Sequence, residues 1–491
     1  MSGSGPGLST KVARGVAWAA GAQAVIAIAD LLSQVLVIAL WIPKADLGIA
    51  FGAGAFYTAL DYMADLGVTA ALIQRDDHTP ERVSTVFWFN LLVSGGLFVL
   101  LLGLGPLYGW LQGEPTVGWL LVAYGGKLVL QNVYSIPFAL LRKELRFSDI
   151  AKARVVAHLA ESGARIAFAA AGATVWCWVF AALVRAVVFG VIMQARHPFV
   201  PRLVFRPREV TEYVRFGARA AASQVLYQLY TSMDVPIILY FFGAAAAGIY
   251  TLADQIVLEP VKTIANVVID VAFPTFARLR NEPRALIEQL IKFTRLNLIA
   301  ILPFVALILL VIPDFLHAFY RGWKPADLDL AATAARLLCV MGFFRALGFL
   351  GPPLLDGVGR PELTLRYMVV ATICVPGSFW LGAVVLGDRL GFLSVAVSWA
   401  IGYPLAFAAL AYLVVRTIGL PIREYVSGTI GIVVSCGLGI AAGFGVAALV
   451  PAMAHVPHMI VVGGAALAVT AALLASWQKI TPGAIAKSLR G

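Results

Sequence analysis

From about residue 13 onward the chain alternates between long apolar runs and short clusters of Arg, Lys, Asp, Pro and Gly. The run STVFWFNLLVSGGLFVLLLGLGPLYGWL (84–111) holds no charged residue. A hydrocarbon core about 30 Å thick takes about 20 residues of α-helix. A spanning β-strand would show about ten residues of apolar/polar alternation. The runs here are about twice that strand length and do not alternate, so they predict helices. Fourteen spans follow, at 13–41, 47–73, 84–111, 118–141, 150–171, 173–194, 213–241, 246–270, 286–313, 330–354, 363–386, 390–415, 426–450 and 457–477. The closest pair, spans 5 and 6, is joined by the tight sequence AGAT.

Composition agrees with that pattern. Hydrophobic residues make up 60% of the chain, charged residues 13%, and the mean hydropathy is +0.87. An ordinary soluble domain has about 45–50% apolar and about 25% charged residues. The first apolar stretch runs on to Trp41, too long for the core of a signal peptide, so it is expected to be the first span. The four cysteines lie in apolar runs with no CxxC or Cys/His spacing, which predicts neither a disulfide nor a metal site.

Charge then sets the topology, because Lys and Arg concentrate in cytoplasmic loops. With the N-terminus inside and fourteen spans, both termini are cytoplasmic. Counted with the span ends that adjoin them, the inner segments hold 27 of the 37 Lys and Arg and the outer segments 5 (Lys44, Arg321, Lys324, Arg336 and Arg389), and the span interiors hold the other 5. This one-sided spread along a membrane face explains the net charge of +11 and makes nucleic acid a poor partner.

The chain also resembles itself. Residues 15–51 and 217–251 each follow a basic segment and open a pair of long spans. A shift of about two hundred residues sets Gln23 near Gln224 and Leu47-Gly48-Ile49 on Ala247-Gly248-Ile249. The second copy starts after six spans, so the two copies share an orientation, as in parallel transporter repeats. The expected organisation is an N-lobe (1–195, spans 1–6), a cytoplasmic linker (196–212) and a C-lobe (213–417, spans 7–12). Spans 13–14 and a tail (418–491) follow as a peripheral addition. The linker region RHPFVPRLVFRPREVTEYVRFG mixes Pro, Arg and apolar residues, as a membrane-surface stretch would.

Charged groups inside a bilayer are costly and face protein or a water-filled cavity. Most intramembrane acids here fall in the first two spans of each repeat: Asp30 in span 1, Asp61 and Asp65 in span 2, Asp234 in span 7, and Asp254, Glu259 and Asp270 in span 8, the last with Lys262. The prediction is a cavity lined by spans 1, 2, 7 and 8. Asp30, Asp61, Asp234 and Asp254 have no cation at helical spacing in their own span and are its leading candidates, with Glu259, Lys262, Gln23 and Gln224. Asp65 and Asp270 lie near the inner span ends, where simple hydration explains them. Glu161 and Arg165 form an i,i+4 pair that reads as structural. Arg345 is a lone cation in LLCVMGFFRALG, and a guanidinium there suits an anionic ligand such as a phosphate; a structural pairing across helices is the other reading. Pro236 and Pro260 are candidate hinges, since proline removes a backbone hydrogen bond that a membrane helix must make good elsewhere.

No catalytic constellation emerges. The six histidines are scattered, and GxSxG, GxxxxGK[ST] and HExxH are absent. No cofactor is predicted, and no filter-like re-entrant loop suggests a channel. Secondary transport is the class that remains.

Six stretches, in order, carry a family resemblance: DLGVTAALIQRDDHTPERVSTVFWFN (65–90), PFALLRKELRF (137–147), RFGARAAASQ (215–224), VAFPTFARL (271–279), FYRGWKPA (319–326) and LLCVMGFFRALG (337–348). Together they resemble the polysaccharide-transporter family of bacterial flippases, in particular its colanic-acid-exporter-like branch. That family sits within the multidrug/oligosaccharidyl-lipid/polysaccharide exporter superfamily. The resemblance implies an all-α membrane protein of about fourteen helices. Two six-helix lobes would be related by a pseudo-twofold along the membrane normal, with two C-terminal helices added. It implies an undecaprenyl-diphosphate-linked glycan as cargo, H⁺ or Na⁺ as coupling ion, and alternating access in the bacterial inner membrane. Membrane lipids, a polysaccharide polymerase and a chain-length regulator are the further partners it implies. Arg345 lies within a matching motif, while Asp30, Asp61, Asp234 and Asp254 rest on the physical argument alone. A multidrug exporter or a lipid II flippase would share this architecture, and a non-transporting scaffold of a glycan synthesis complex would leave the intramembrane charges dispensable.

Overall fold

The computed structural model describes residues 6–65, 79–144, 146–450 and 453–478. The end of predicted span 2 and the motif residues 66–78 lie outside the described residues, as do the side chain of Asp65 and the tail from 479. The described residues are almost wholly helical, with no strand among them. This is a multi-pass membrane protein. Two compact units divide the chain, Met1–Gly248 and Ile249–Gly491.

The first unit contains α1 (Pro6–Leu40), α2 (Lys44–Asp65), α3 (Pro80–Leu111), α4 (Pro115–Leu130), α5 (Asn132–Lys143), α6 (Phe147–Ala170), α7 (Trp176–Arg196), α8 (Pro207–Ser232) and the start of α9 (Asp234–Arg278). α4 and α5 together form predicted span 4, broken at Gln131. The second unit holds the rest of α9, then α10 (Pro283–Phe319), α11 (Pro325–Gly348), α12 (Gly351–Gly357), α13 (Pro361–Leu390), α14 (Leu393–Ile418), α15 (Ile422–Leu449) and α16 (His455–Ser476). α11 and α12 make predicted span 10.

Local chemistry explains the boundaries. Pro opens α3, α4, α8, α10, α11 and α13, where its missing N–H is an orphan donor in any case. Thr79 caps α3, its side-chain oxygen accepting the Arg82 N–H at 3.3 Å. The AGAT turn is as tight as expected: Gly172 takes φ +83°, and the Ala173 N–H closes back on the Phe168 carbonyl at 2.9 Å. The boundary between predicted spans 7 and 8 falls at Gly243, whose φ of 82° and ψ of 172° break α9 where the sequence leaves its gap between 241 and 246.

Within the first unit, α1 packs on α6, α6 on α7, α3 on α4, and α2 on α4 and α8. α2 also meets the start of α9 at a glycine crossing. A Cβ on Gly48 would lie 2.3 Å from the Ala244 carbonyl oxygen, and one on Gly248 would lie 1.6 Å from that of Lys44. Positions 44 and 48 thus oppose 248 and 244, the offset of two hundred that the repeat predicts. In the second unit α13 packs on α14, α11 on α14, and α15 and α16 both on α10. Leu310 and Val311 of α10 share a core with Val462 and Ala466 of α16.

Candidate functional site

Packing of α1 against α6 and of α2 against α4 brings intramembrane charges of the first unit together. Asp30 on α1 faces three α6 side chains. Its Oδ2 lies 3.1 Å from His158 Nδ1, its Oδ1 accepts the Ser162 hydroxyl at 3.1 Å, and Arg165 Nη2 stands 3.9 Å away. Arg165 donates to Ser33 Oγ at 2.9 Å, one turn along α1. Glu161 is the centre of the group. It receives Arg185 Nη1 from α7 at 3.0 Å, Arg165 at 3.8 Å and His158 at 3.5 Å. The i,i+4 pair anticipated from the sequence is present, but its shorter contact is to Arg185.

A second group joins it from α2 and α4. Gln131 donates to Asp61 Oδ1 at 2.5 Å and accepts from Tyr134 at 3.4 Å. Lys127 is buried, hydrogen-bonded to the Tyr57 hydroxyl, and Tyr57 stacks on Tyr124 with centroids 4.5 Å apart. Asp61 and Arg185 both lie within electrostatic reach of Tyr57 and Lys127. Three acids (Asp30, Asp61, Glu161), three basic side chains (Lys127, Arg165, Arg185) and one imidazole therefore form one polar interior, ringed by tyrosines. A charged side chain alone at mid-bilayer costs about 2.5–3.5 kcal/mol on insertion scales. Six held together in near balance reduce that cost by pairing, and the residual opposes folding.

Asp30, His158 and Glu161 place one ligand atom each within 4.8 Å of one another, spacing that a cation could bridge. Two guanidiniums already stand beside these carboxylates, which disfavours a metal ion there.

The remaining candidates distribute as follows. Asp234 is buried at the junction of α8 and α9, its Oδ1 accepting the Val235 N–H at 2.9 Å. Pro236 falls in the first turn after that junction, where it interrupts no existing hydrogen bond; the chain restarts its helix there instead of kinking through it. Gln23 and Gln224 are exposed on α1 and α8, and Asp270 is exposed on α9. Pro260 lies inside α9. In the second unit Lys262 donates to Glu259 at 2.6 Å, while Asp254 accepts from Gln255 at 3.4 Å. Arg345 is 1% exposed, its guanidinium 5.7 Å from the Phe349 ring and 5.9 Å from that of Trp399, within electrostatic reach of Glu259. Trp399 is itself fixed by a hydrogen bond to the Tyr250 hydroxyl at 2.9 Å.

Sequence reasoning missed His158, Arg185, Lys127 and the tyrosines as partners, because helix packing, not spacing along the chain, brings them to the acids. It also missed a second histidine group. Asp314 at the end of α10 binds both His455 (2.8 Å) and His458 (2.6 Å) of α16, and His317 stacks on His455 at 5.4 Å.

Residues 37–326 match the family model described as "Polysaccharide biosynthesis protein". The chain is 28% identical over 307 residues to the teichuronic acid biosynthesis protein TuaB of Bacillus subtilis (strain 168), covering 62% of each chain. It is 26% identical over 398 residues to the lipopolysaccharide biosynthesis protein WzxC of Escherichia coli (strain K12), covering 79% of each. Among solved structures it resembles the lipid II flippase MurJ in an inward closed conformation, with a TM-score of 0.67 at 13% identity, over 93% of this chain and 100% of that one. That likeness establishes the fold.

Proposed function

This chain belongs to the family of polysaccharide biosynthesis proteins, and on that premise we propose that it carries a polyprenyl-diphosphate-linked oligosaccharide from the cytoplasmic to the periplasmic leaflet of the bacterial inner membrane. Its relatives are named for teichuronic acid and lipopolysaccharide biosynthesis, and the fold is that of a protein named as a lipid II flippase. Both termini lie in the cytoplasm, by the bias of Lys and Arg.

The observation that carries the reading is the balanced charge network inside the first unit. A scaffold gains nothing from six charged side chains within its spans; a carrier of a polar headgroup does. Tyr134, half-buried, offers the flat apolar face and hydroxyl that sugars use, and Gln131 and Asp61 offer hydrogen-bond partners. In the second unit, taken by itself, Lys262 paired with Glu259 and Arg345 behind Phe349 and Trp399 supply positive charge that suits a phosphate.

Transport is coupled to protons at His158. The ring stands between Asp30 and Glu161, so a proton there turns its contact with Asp30 into an ion pair that draws α1 toward α6. Losing the proton relaxes that pull, and coupling requires that the proton favour one conformation over the other. The neighbouring guanidiniums disfavour Na⁺ at the same place.

The test is deletion of the gene in its host, with analysis of lipid-linked glycans and of the cell surface. Accumulated polyprenyl-linked units with one surface polysaccharide missing is the expected result; complementation by His158→Gln should restore little export. Normal glycans with increased sensitivity to cationic drugs would replace this reading by a multidrug exporter.

A further inference from the structure

The segment joining α7 to α8, residues 197–206, is not helical; it is an extended strap held across the first turns of α3. Its fastening is detailed. Trp88 Nε1 donates to the Arg202 carbonyl at 2.8 Å, the Arg202 N–H donates to Ser84 Oγ at 3.0 Å, and Thr85 Oγ1 donates to the Val204 carbonyl at 3.4 Å. Gln194 bonds both backbone groups of Phe199, and Arg206 pairs with Glu81. Phe199 packs inward on the Val83, Val86 and Ile136 cluster.

The outward face is the opposite of what a strap in water should present. Val200 is 85% exposed and Leu203 90% exposed, with Phe205 beside them. The Val204 N–H reaches the Arg202 carbonyl at 2.8 Å, a three-residue turn that drives Leu203 out from the surface. A fixed backbone that displays aliphatic side chains has been built for an apolar surrounding.

The position says which surrounding. Trp88, which holds the strap, lies one turn before Leu92, which is 61% exposed; Val191, 64% exposed, lies just before the end of α7. These are outward faces of membrane spans, so Val200 and Leu203 continue the lipid-facing belt at its edge. Charge marks the edge as well. Segments 142–154 and 196–206 carry eight Lys and Arg against two Asp and Glu. Aliphatic tips beside arginines whose stems can lie flat suit the boundary between acyl chains and anionic headgroups.

We propose that residues 197–206 form an anionic-phospholipid binding site, with Val200 and Leu203 inserted at the acyl boundary and Arg202 and Arg206 on lipid phosphates. The strap fixes the connection between α7 and α8 to the plane of the cytoplasmic leaflet. Motions of α8 are then made relative to the lipid surface, not to a loose loop. This inference does not depend on the cargo.

The experiment uses the full-length protein with Leu203→Cys carrying an environment-sensitive fluorophore, in nanodiscs of phosphatidylcholine with increasing phosphatidylglycerol. The native cysteines are buried or half-buried, and the unsubstituted protein measures their background labelling. Val200→Cys is the second probe, and Lys324→Cys, exposed in the loop after α10, is the aqueous control. At position 203 the dye should be quenched by doxyl-labelled lipid and shielded from iodide, with lipid contact rising with phosphatidylglycerol. Arg202→Gln should weaken that rise about fivefold, the contribution of one basic residue near an anionic surface. Iodide quenching at 200 and 203 equal to that at 324 would overturn the proposal and leave the face to a protein partner. Lipid contact that ignores phosphatidylglycerol would overturn the headgroup site.

Discussion

Replacing Gly248 by Ala adds one methyl group where α2 and α9 cross, and there is no room for it. The new Cβ would stand 1.6 Å from the Lys44 carbonyl oxygen and 2.5 Å from its carbon, both backbone atoms that no rotamer change can move aside. An ordinary carbon–oxygen contact is about 3.3 Å, so the helices must separate by about 1.7 Å at this point. Overpacking of this kind costs about 1–3 kcal/mol, against a gain of about 1 kcal/mol for exchanging Gly for Ala within a helix. Gly54 on α2 is the control: nothing lies within 4 Å of its Cβ position, so Gly54→Ala keeps the propensity gain alone. Thermal unfolding of detergent-solubilised protein should place the two variants on opposite sides of the parent. Gly48→Ala meets Ala244 and Gly248 backbone at 2.3 and 2.7 Å and should behave like Gly248→Ala. The double variant should cost less than the sum, because helices already forced apart accommodate the second methyl. Equal melting temperatures for Gly248→Ala and Gly54→Ala would refute the close crossing, and strict additivity would refute the claim that the two glycines share one contact.

Glu161→Gln leaves Arg165 and Arg185 without their common carboxylate, and breaking a buried ion pair typically costs about 3–5 kcal/mol; thermal unfolding should show a larger loss than for Gln131→Ala, whose partner Asp61 is half-buried. Asp314→Asn weakens the hold on both His455 and His458, at about 1–3 kcal/mol for charge-assisted hydrogen bonds at a partly exposed site. Amide exchange in the first turn of α16 should rise, while the Leu310, Val311 and Val462 core keeps the rest of that helix protected.

The sequence by itself determined a great deal. Apolar runs of span length fix an all-helical membrane protein, because no other open structure satisfies its backbone in lipid. The tight AGAT turn was legible too, and Gly172 makes it, whereas the prolines at 80, 115, 207, 283, 325 and 361 open helices a few residues ahead of the expected spans. The offset of two hundred between Gly48 and Gly248 was legible because a one-dimensional pattern records a repeat. The tertiary structure decided which charges meet. Asp30 and Asp61 lack cations at helical spacing in their own spans, and their partners arrive from α6 and from the junction of α4 and α5, 128 and 70 residues along the chain. Arg345 looked alone and proved to be enclosed by Phe349 and Trp399. Three scattered histidines gathered near Asp314 because α16 packs on α10. Periodicity within a helix reports which of its faces is apolar, whereas the partner of a buried charge is set by helix packing, which couples residues that no local spacing connects.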